Sequence, residues 1–93
     1  MFEMVNNMKS YIAKIDITLR ESILDVQGKT VEHALHSLEY TDISHVRIGK
    51  YVELTVKAEN EENAHKRVSA ACNQLIANPI IEDYSITFEE ITE

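Results

Sequence analysis

The sequence predicts an α+β two-layer sandwich, and three observations lead there. Apolar residues alternate strictly near the start, two later segments carry them at helical spacing, and further alternating stretches lie between and after those segments. The implied order is β-α-β(-β)-α-β, with both helices on one face of a small sheet. At 93 residues the chain has room for one domain, read as 11–93 after a loose leader over 1–10. Folding a chain this short hides only about two-thirds of its extended surface, so association with another protein would add needed burial.

From Tyr11 to Leu19, Ala13, Ile15, Ile17 and Leu19 alternate with Lys14, Asp16 and Thr18, the period of a half-buried strand. The leader before it shows no period, and Met8 stands as an alternative first residue to Met1. After the connector RESILDVQG, Val31, Ala34, Leu35 and Leu38 gather on one helical stripe. This predicts a helix from Gln27 or Gly28 to about Tyr40, with His33 and His36 turned outward.

From Ile43 to Lys57 the pattern is strand-like, and Val46, Ile48, Val52, Leu54 and Val56 all carry even numbers. A two-residue hairpin at Gly49 and Lys50 would oppose odd to even positions and mix apolar with polar side chains on each face. Two arrangements keep the faces pure. One is a three-residue turn over Gly49, Lys50 and Tyr51; the other is one long strand that bends at Gly49 without reversing and is shared between subunits.

The second helix begins after Ala58 with Asn60 as N-cap and Glu61 and Glu62 in the first turn, and its expected buried stripe is Ala64, Val68, Ala71 and Leu75. Asn78-Pro79 ends it, because proline lacks an N–H and drives the preceding residue from helical angles. A last strand is expected from Glu82 to about Glu89, with Tyr84, Ile86 and Phe88 inward.

Composition narrows the function. Nine basic and sixteen acidic residues give a net charge of −7, which disfavours the phosphate contacts that nucleic-acid binding draws on, and an anionic membrane likewise. The longest apolar runs, such as Tyr11 to Ala13, fall far short of the roughly 20 residues a membrane helix needs. The opening MFEMVNN is too short and polar for a secretory signal, and a lone cysteine, Cys72, forms no intrachain disulfide, so a cytoplasmic setting is expected.

Two glycines, Gly28 and Gly49, preclude a glycine-rich phosphate loop. His33 and His36 lack the further ligands a metal site needs and read as solvated. Seven residues of helix place Cys72 roughly 10 Å from His65, beyond nucleophile-to-base reach, so Cys72 reads as a small core residue. No catalytic set emerges, and no metal or cofactor is expected on this chain. Tyr51, beside Glu53 and Thr55 on a strand's outer face, points to an interface as readily as to edge packing. The residues thus describe a binding or assembly module.

Three stretches, ILDVQGKTVEHALHSL, VRIGKYVEL and LIANPIIEDYSI, taken in order resemble the PurS family, small subunits of phosphoribosylformylglycinamidine (FGAM) synthase. The resemblance runs from about Tyr11 to Glu90. Two departures are Val26 where the family usually has proline and Glu39 where it often has glycine.

The resemblance implies a subunit without an active site of its own that joins a PurQ-type glutaminase to a PurL-type synthetase and assists ammonia transfer between them. ATP and Mg would be held by the synthetase subunit. The assembled amidoligase converts formylglycinamide ribonucleotide (FGAR), glutamine and ATP to FGAM, glutamate, ADP and phosphate, and this chain would also form a homodimer or tetramer. Among the residues that carry the resemblance, Asp25, Gln27, Arg47, Lys50 and Glu82 are the candidate partner-binding groups, being polar and placed at connectors, strand ends or a bend. Gly28, Gly49, Asn78 and Pro79 are candidate structural positions. Asp25 has a second reading as the cap of the first helix. The competing function is a stand-alone module that binds a small regulatory ligand.

Overall fold

The computed structural model describes residues 8–91, so Met1, and with it the choice of start, lies outside the described residues. Three strands, β1 (Lys9–Leu19), β2 (Lys50–Ala58) and β3 (Glu82–Ile91), form one antiparallel sheet in the order β2-β1-β3. Two helices, α1 (Val26–Ser37) and α2 (Glu61–Ala71), complete the α+β fold, and α2 runs on into a π-helical turn, Cys72–Ile76. β1 starts two residues before Tyr11, so Lys9 and Ser10 belong to the sheet rather than to a leader.

The alternation in β1 does what its period predicts. Tyr11, Ala13, Ile15 and Ile17 are buried on one face of the central strand. Ile15 stands between Val52 on β2 and Ile86 on β3, so the middle of the sheet is apolar across all three strands. On the opposite face Lys14 Nζ lies 3.2 Å from Glu89 on β3, and the Glu89 carboxylate holds the Lys14 ammonium above its ordinary pKa.

α2 covers the core face of the sheet. Asn60 caps it by accepting from the Asn63 amide at 2.8 Å. Ala64, Val68 and Cys72 are buried, whereas Ala71 is exposed and Leu75 is 87% exposed. The expected stripe through Ala71 and Leu75 is therefore corrected to Ala64, Val68, Cys72 and Ile76, each four residues from the last. In an α-helix such a line drifts round the axis, and the wider π turn returns Ile76 and Ala77 to the core cluster. The same change carries Leu75 into solvent.

α1 departs from the expected layer. Both helices were expected over one face of the sheet, but α1 makes no contact with the strands of the kind α2 makes. Its apolar stripe lies open, with Leu38 68% exposed and Val31 exposed, and only Gly28 is buried. The stripe is real at the level of the helix; what the sequence does not supply is a surface of this chain to receive it.

α1 also ends at Ser37, three residues before Tyr40. The Tyr40 amide donates to Leu35 O at 2.9 Å and the Glu39 amide to His36 O at 3.0 Å, the paired bonds of a Schellman cap, with Glu39 left-handed at φ 76°. A side chain at that angle strains against its own carbonyl, which glycine avoids. Glu39→Gly should accordingly raise stability by about 1 kcal/mol, read as a rise of a few degrees in Tm with the far-ultraviolet spectrum unchanged.

Between α1 and β2, residues 43–49 join no ladder within the chain. Lys50 and Tyr51 are strand residues opposite Ile17 and Asp16, which overturns the three-residue turn over Gly49, Lys50 and Tyr51. The chain passes Gly49 without reversing, and only its second half finds a neighbour in the same molecule. At Gly49 an added Cβ would collide with Ile17 O and crowd the Thr18 methyl, so the close approach of 49 to β1 requires glycine.

Candidate partner-binding surface

The polar candidates collect where β1, α1 and the 43–49 segment meet. Asp25 is the N-cap of α1, its Oδ1 accepting from the Gly28 amide at 2.8 Å. Its other oxygen accepts from the Ile48 amide at 2.7 Å. Those two amides, with the Arg47 charge nearby, hold the carboxyl below the usual carboxylate range. Both readings of Asp25 thus meet in one side chain that caps a helix and ties it to a segment 23 residues away.

Two further side chains extend the tie. Glu32 accepts from the Val46 amide at 3.3 Å, and His36 Nε2 lies 2.7 Å from Ile43 O. Gly28 packs so close that a Cβ would collide with Val46 O and the Asp25 carboxyl. α1 and residues 43–48 are thereby joined to each other, although α1 scarcely meets the sheet.

Arg47 is anchored at the other end. It donates to Leu19 O and, at 3.0 Å, to Glu21 Oε2. Lys50 Nζ sits 3.7 Å from Glu82 Oε2, while Glu82 Oε1 accepts from the Asn78 amide at 2.6 Å. Asn78 Oδ1 accepts from the Ile80 amide at 3.1 Å, and Arg20 donates to Pro79 O, so the closing turn is held from three sides. Glu32, Glu21 and Arg20 are the contributors that pattern reading missed; each acts across a long sequence separation and leaves no local signal.

Two concavities result. A shallow groove of about 450 Å³ is lined by residues that include Asp25, Lys29, Glu32, His45 and Arg47. A smaller cleft of about 260 Å³ brings together Gln27, Ile48, Gly49, Lys50 and Glu82. All five candidate partner-binding residues therefore line one or other of two hollows at one end of the sheet. Cys72 is elsewhere, fully buried, with its thiol pKa pushed up by burial, a setting that withholds a reactive thiolate from any substrate. His65 rests against the Phe88 ring at 6.0 Å.

The family model described as "PurS: Phosphoribosylformylglycinamidine (FGAM) synthase" matches residues 12–90. The chain belongs to the PurS family. It is 44% identical to phosphoribosylformylglycinamidine synthase subunit PurS of Bacillus subtilis, over 87% of this chain and 95% of that protein. The fold agrees with the crystal structure of Methanocaldococcus jannaschii PurS, one of the subunits of formylglycinamide ribonucleotide amidotransferase in the purine biosynthetic pathway. That match has a TM-score of 0.79 at 34% identity, covering 88% of this chain and 99% of that one. A chain in the structure of PurLQS from Thermotoga maritima matches with a TM-score of 0.79 at 32% identity, covering 86% and 98%. The PurS motifs VRIGKYVEL and LIANPIIEDYSI thus coincide with the close approach of Gly49 to β1 and with the hydrogen-bonded turn at Asn78-Pro79.

Proposed function

We propose that this PurS-family chain is a non-catalytic assembly subunit of FGAM synthase, docking a PurL-type synthetase and a PurQ-type glutaminase and self-associating as a dimer or tetramer. The observation that carries the reading is the likeness to a chain of PurLQS across nearly its whole length. In this reading ATP and Mg are bound by the synthetase subunit, and this chain supplies surface. Ammonia released at a glutaminase reaches a synthetase unprotonated only along a path shielded from water, and a docking subunit assists by holding the two catalytic partners in register.

The exposed Gln27 and Lys50 are the groups that meet a partner directly. Asp25, Arg47 and Glu82 are already engaged within the chain and act mainly by setting the shape of the two hollows. The open stripe of α1 is apolar surface of the kind that self-association covers.

Reconstitution tests the assembly role. Adding the purified chain to PurL-type and PurQ-type subunits should raise glutamine-dependent FGAM synthesis at least tenfold, about 1.4 kcal/mol, while ammonia-dependent synthesis by the synthetase alone changes little. Equal glutamine-dependent rates with and without the chain would overturn the reading. A ligand-induced thermal shift of the isolated chain, without affinity for the synthetase, would instead favour a small-ligand regulatory module.

A further inference from the structure

A third hollow, of about 420 Å³, lies on the first turns of α1 and is lined by Leu24, Val26, Lys29, Thr30 and His33. The last four follow helical spacing. At 100° per residue they form a stripe about 140° round the axis from Val31, Ala34, Leu35 and Leu38. The helix therefore has two distinct faces, and covering its apolar stripe by self-association leaves the hollow open.

The walls of the hollow are apolar. Leu24 and Val26 stand in solvent at 67% and 65% exposure, and Thr30 donates its hydroxyl to Val26 O at 2.9 Å. Lys29 and His33 are the polar groups left to be recognised. Among the described residues Lys29 has no carboxylate partner, whereas Lys9, Lys14, Arg20, Arg47, Lys50 and Lys66 each have one.

Carboxylates do share the adjoining groove with Leu24 and Lys29, but each is engaged elsewhere. Asp25 accepts from the Gly28 and Ile48 amides, Glu21 from Arg47 and Glu32 from the Val46 amide. The first turn of α1 holds no acidic residue, so the positive end of its dipole adds to the Lys29 charge. In a chain of net charge −7, an uncompensated cation beside two exposed aliphatic side chains is complementary to a carboxylate placed next to an apolar group.

We propose that this face of α1 docks an acidic segment of a catalytic subunit, with an apolar side chain of that segment seated against Leu24 and Val26 and a neighbouring carboxylate on Lys29. The proposal rests on the assembly reading above and names the surface and the chemistry it selects. Because Leu24 and Lys29 also line the groove that holds Asp25 and Arg47, the docked segment runs on into the candidate surface already described.

V26D and K29E test the docking without weakening the helix, since an acidic side chain in the first turns favours its dipole. The readout is the concentration of full chain that gives half-maximal glutamine-dependent FGAM synthesis with fixed PurL-type and PurQ-type subunits. V26D and K29E should each raise it at least tenfold, with Tm not lowered and self-association in sedimentation unchanged. K29R, which keeps the charge, should stay within about threefold of the parent.

Parent-like half-maximal concentrations for V26D and K29E would overturn the docking site and leave the assembly reading standing. Self-association lost in V26D while the half-maximal concentration is kept would give the hollow to a second copy and overturn the proposal. K29R as weak as K29E would overturn the carboxylate as the group recognised. A parent chain that stimulates nothing would overturn the assembly reading itself.

Discussion

Ile15→Ala should cost about 3 to 4 kcal/mol and lower Tm by roughly 15 to 25 °C. Ile15 is fully buried in the middle of the central strand, opposite Val52 and Ile86. The removed carbons leave a hole that neither neighbour can fill without shifting a paired strand. A chain of this size has only about 5 to 14 kcal/mol in total, so the loss is a large share and part of the population should be unfolded at physiological temperature. Thr87→Ala, on the exposed face of β3, provides the contrast and should stay within about 0.5 kcal/mol. Both belong in urea titrations at one protein concentration, because self-association adds to apparent stability. A loss below about 1 kcal/mol at Ile15 would contradict the packing described for the sheet.

Gly28→Ala should be the next most harmful, despite placing alanine inside a helix. Helix propensity favours alanine by about 1 kcal/mol, but the new Cβ would enter Val46 O and the Asp25 carboxyl. One of those is backbone and has no alternative rotamer, so relief requires α1 and the 46–48 segment to part. The net cost should be about 1 to 2 kcal/mol after the propensity gain.

Its signature is local. Amide exchange at Val46 and Ile48, which lose their carboxylate acceptors, should speed up at least tenfold, while the amide of Ile15 keeps its protection relative to global unfolding. Because α1 barely touches the sheet, the variant should keep its β structure and lose association with other subunits. Uniform acceleration across the sheet would show that α1 is integral to the core after all.

Much of the fold was legible because strand and helix periods are local properties. The alternation of Ala13, Ile15 and Ile17, of Val52, Leu54 and Val56, and of Tyr84, Ile86 and Phe88 names the inner face of every strand, and all of these residues lie in or against one core. Asn60 announces its helix because a cap acts within one turn. The strain at Glu39 was visible in part, as a side chain at a position where PurS sequences often place glycine, and its φ of 76° is what that substitution entails.

The candidate surface was legible residue by residue but not as a surface. Gln27, Lys50 and Glu82 belong to three different segments, and only folding puts them round one cleft. The paired carboxylates of Asp25 and Glu32 on one edge of 46–48 are likewise invisible in a linear pattern, since the partners are 23 and 14 residues apart.

By itself the sequence determined which residues turn inward, where chain direction can change and that no charge or glycine pattern for phosphate or nucleic acid is present, all matters of side-chain chemistry and short-range period. The tertiary structure alone decided what each apolar stripe rests on. It set α2 and its π turn over the sheet, left the stripe of α1 open, and halted the ladder at Lys50, because burial is a relation between distant segments and a helix cannot encode whether its own chain holds the surface it needs.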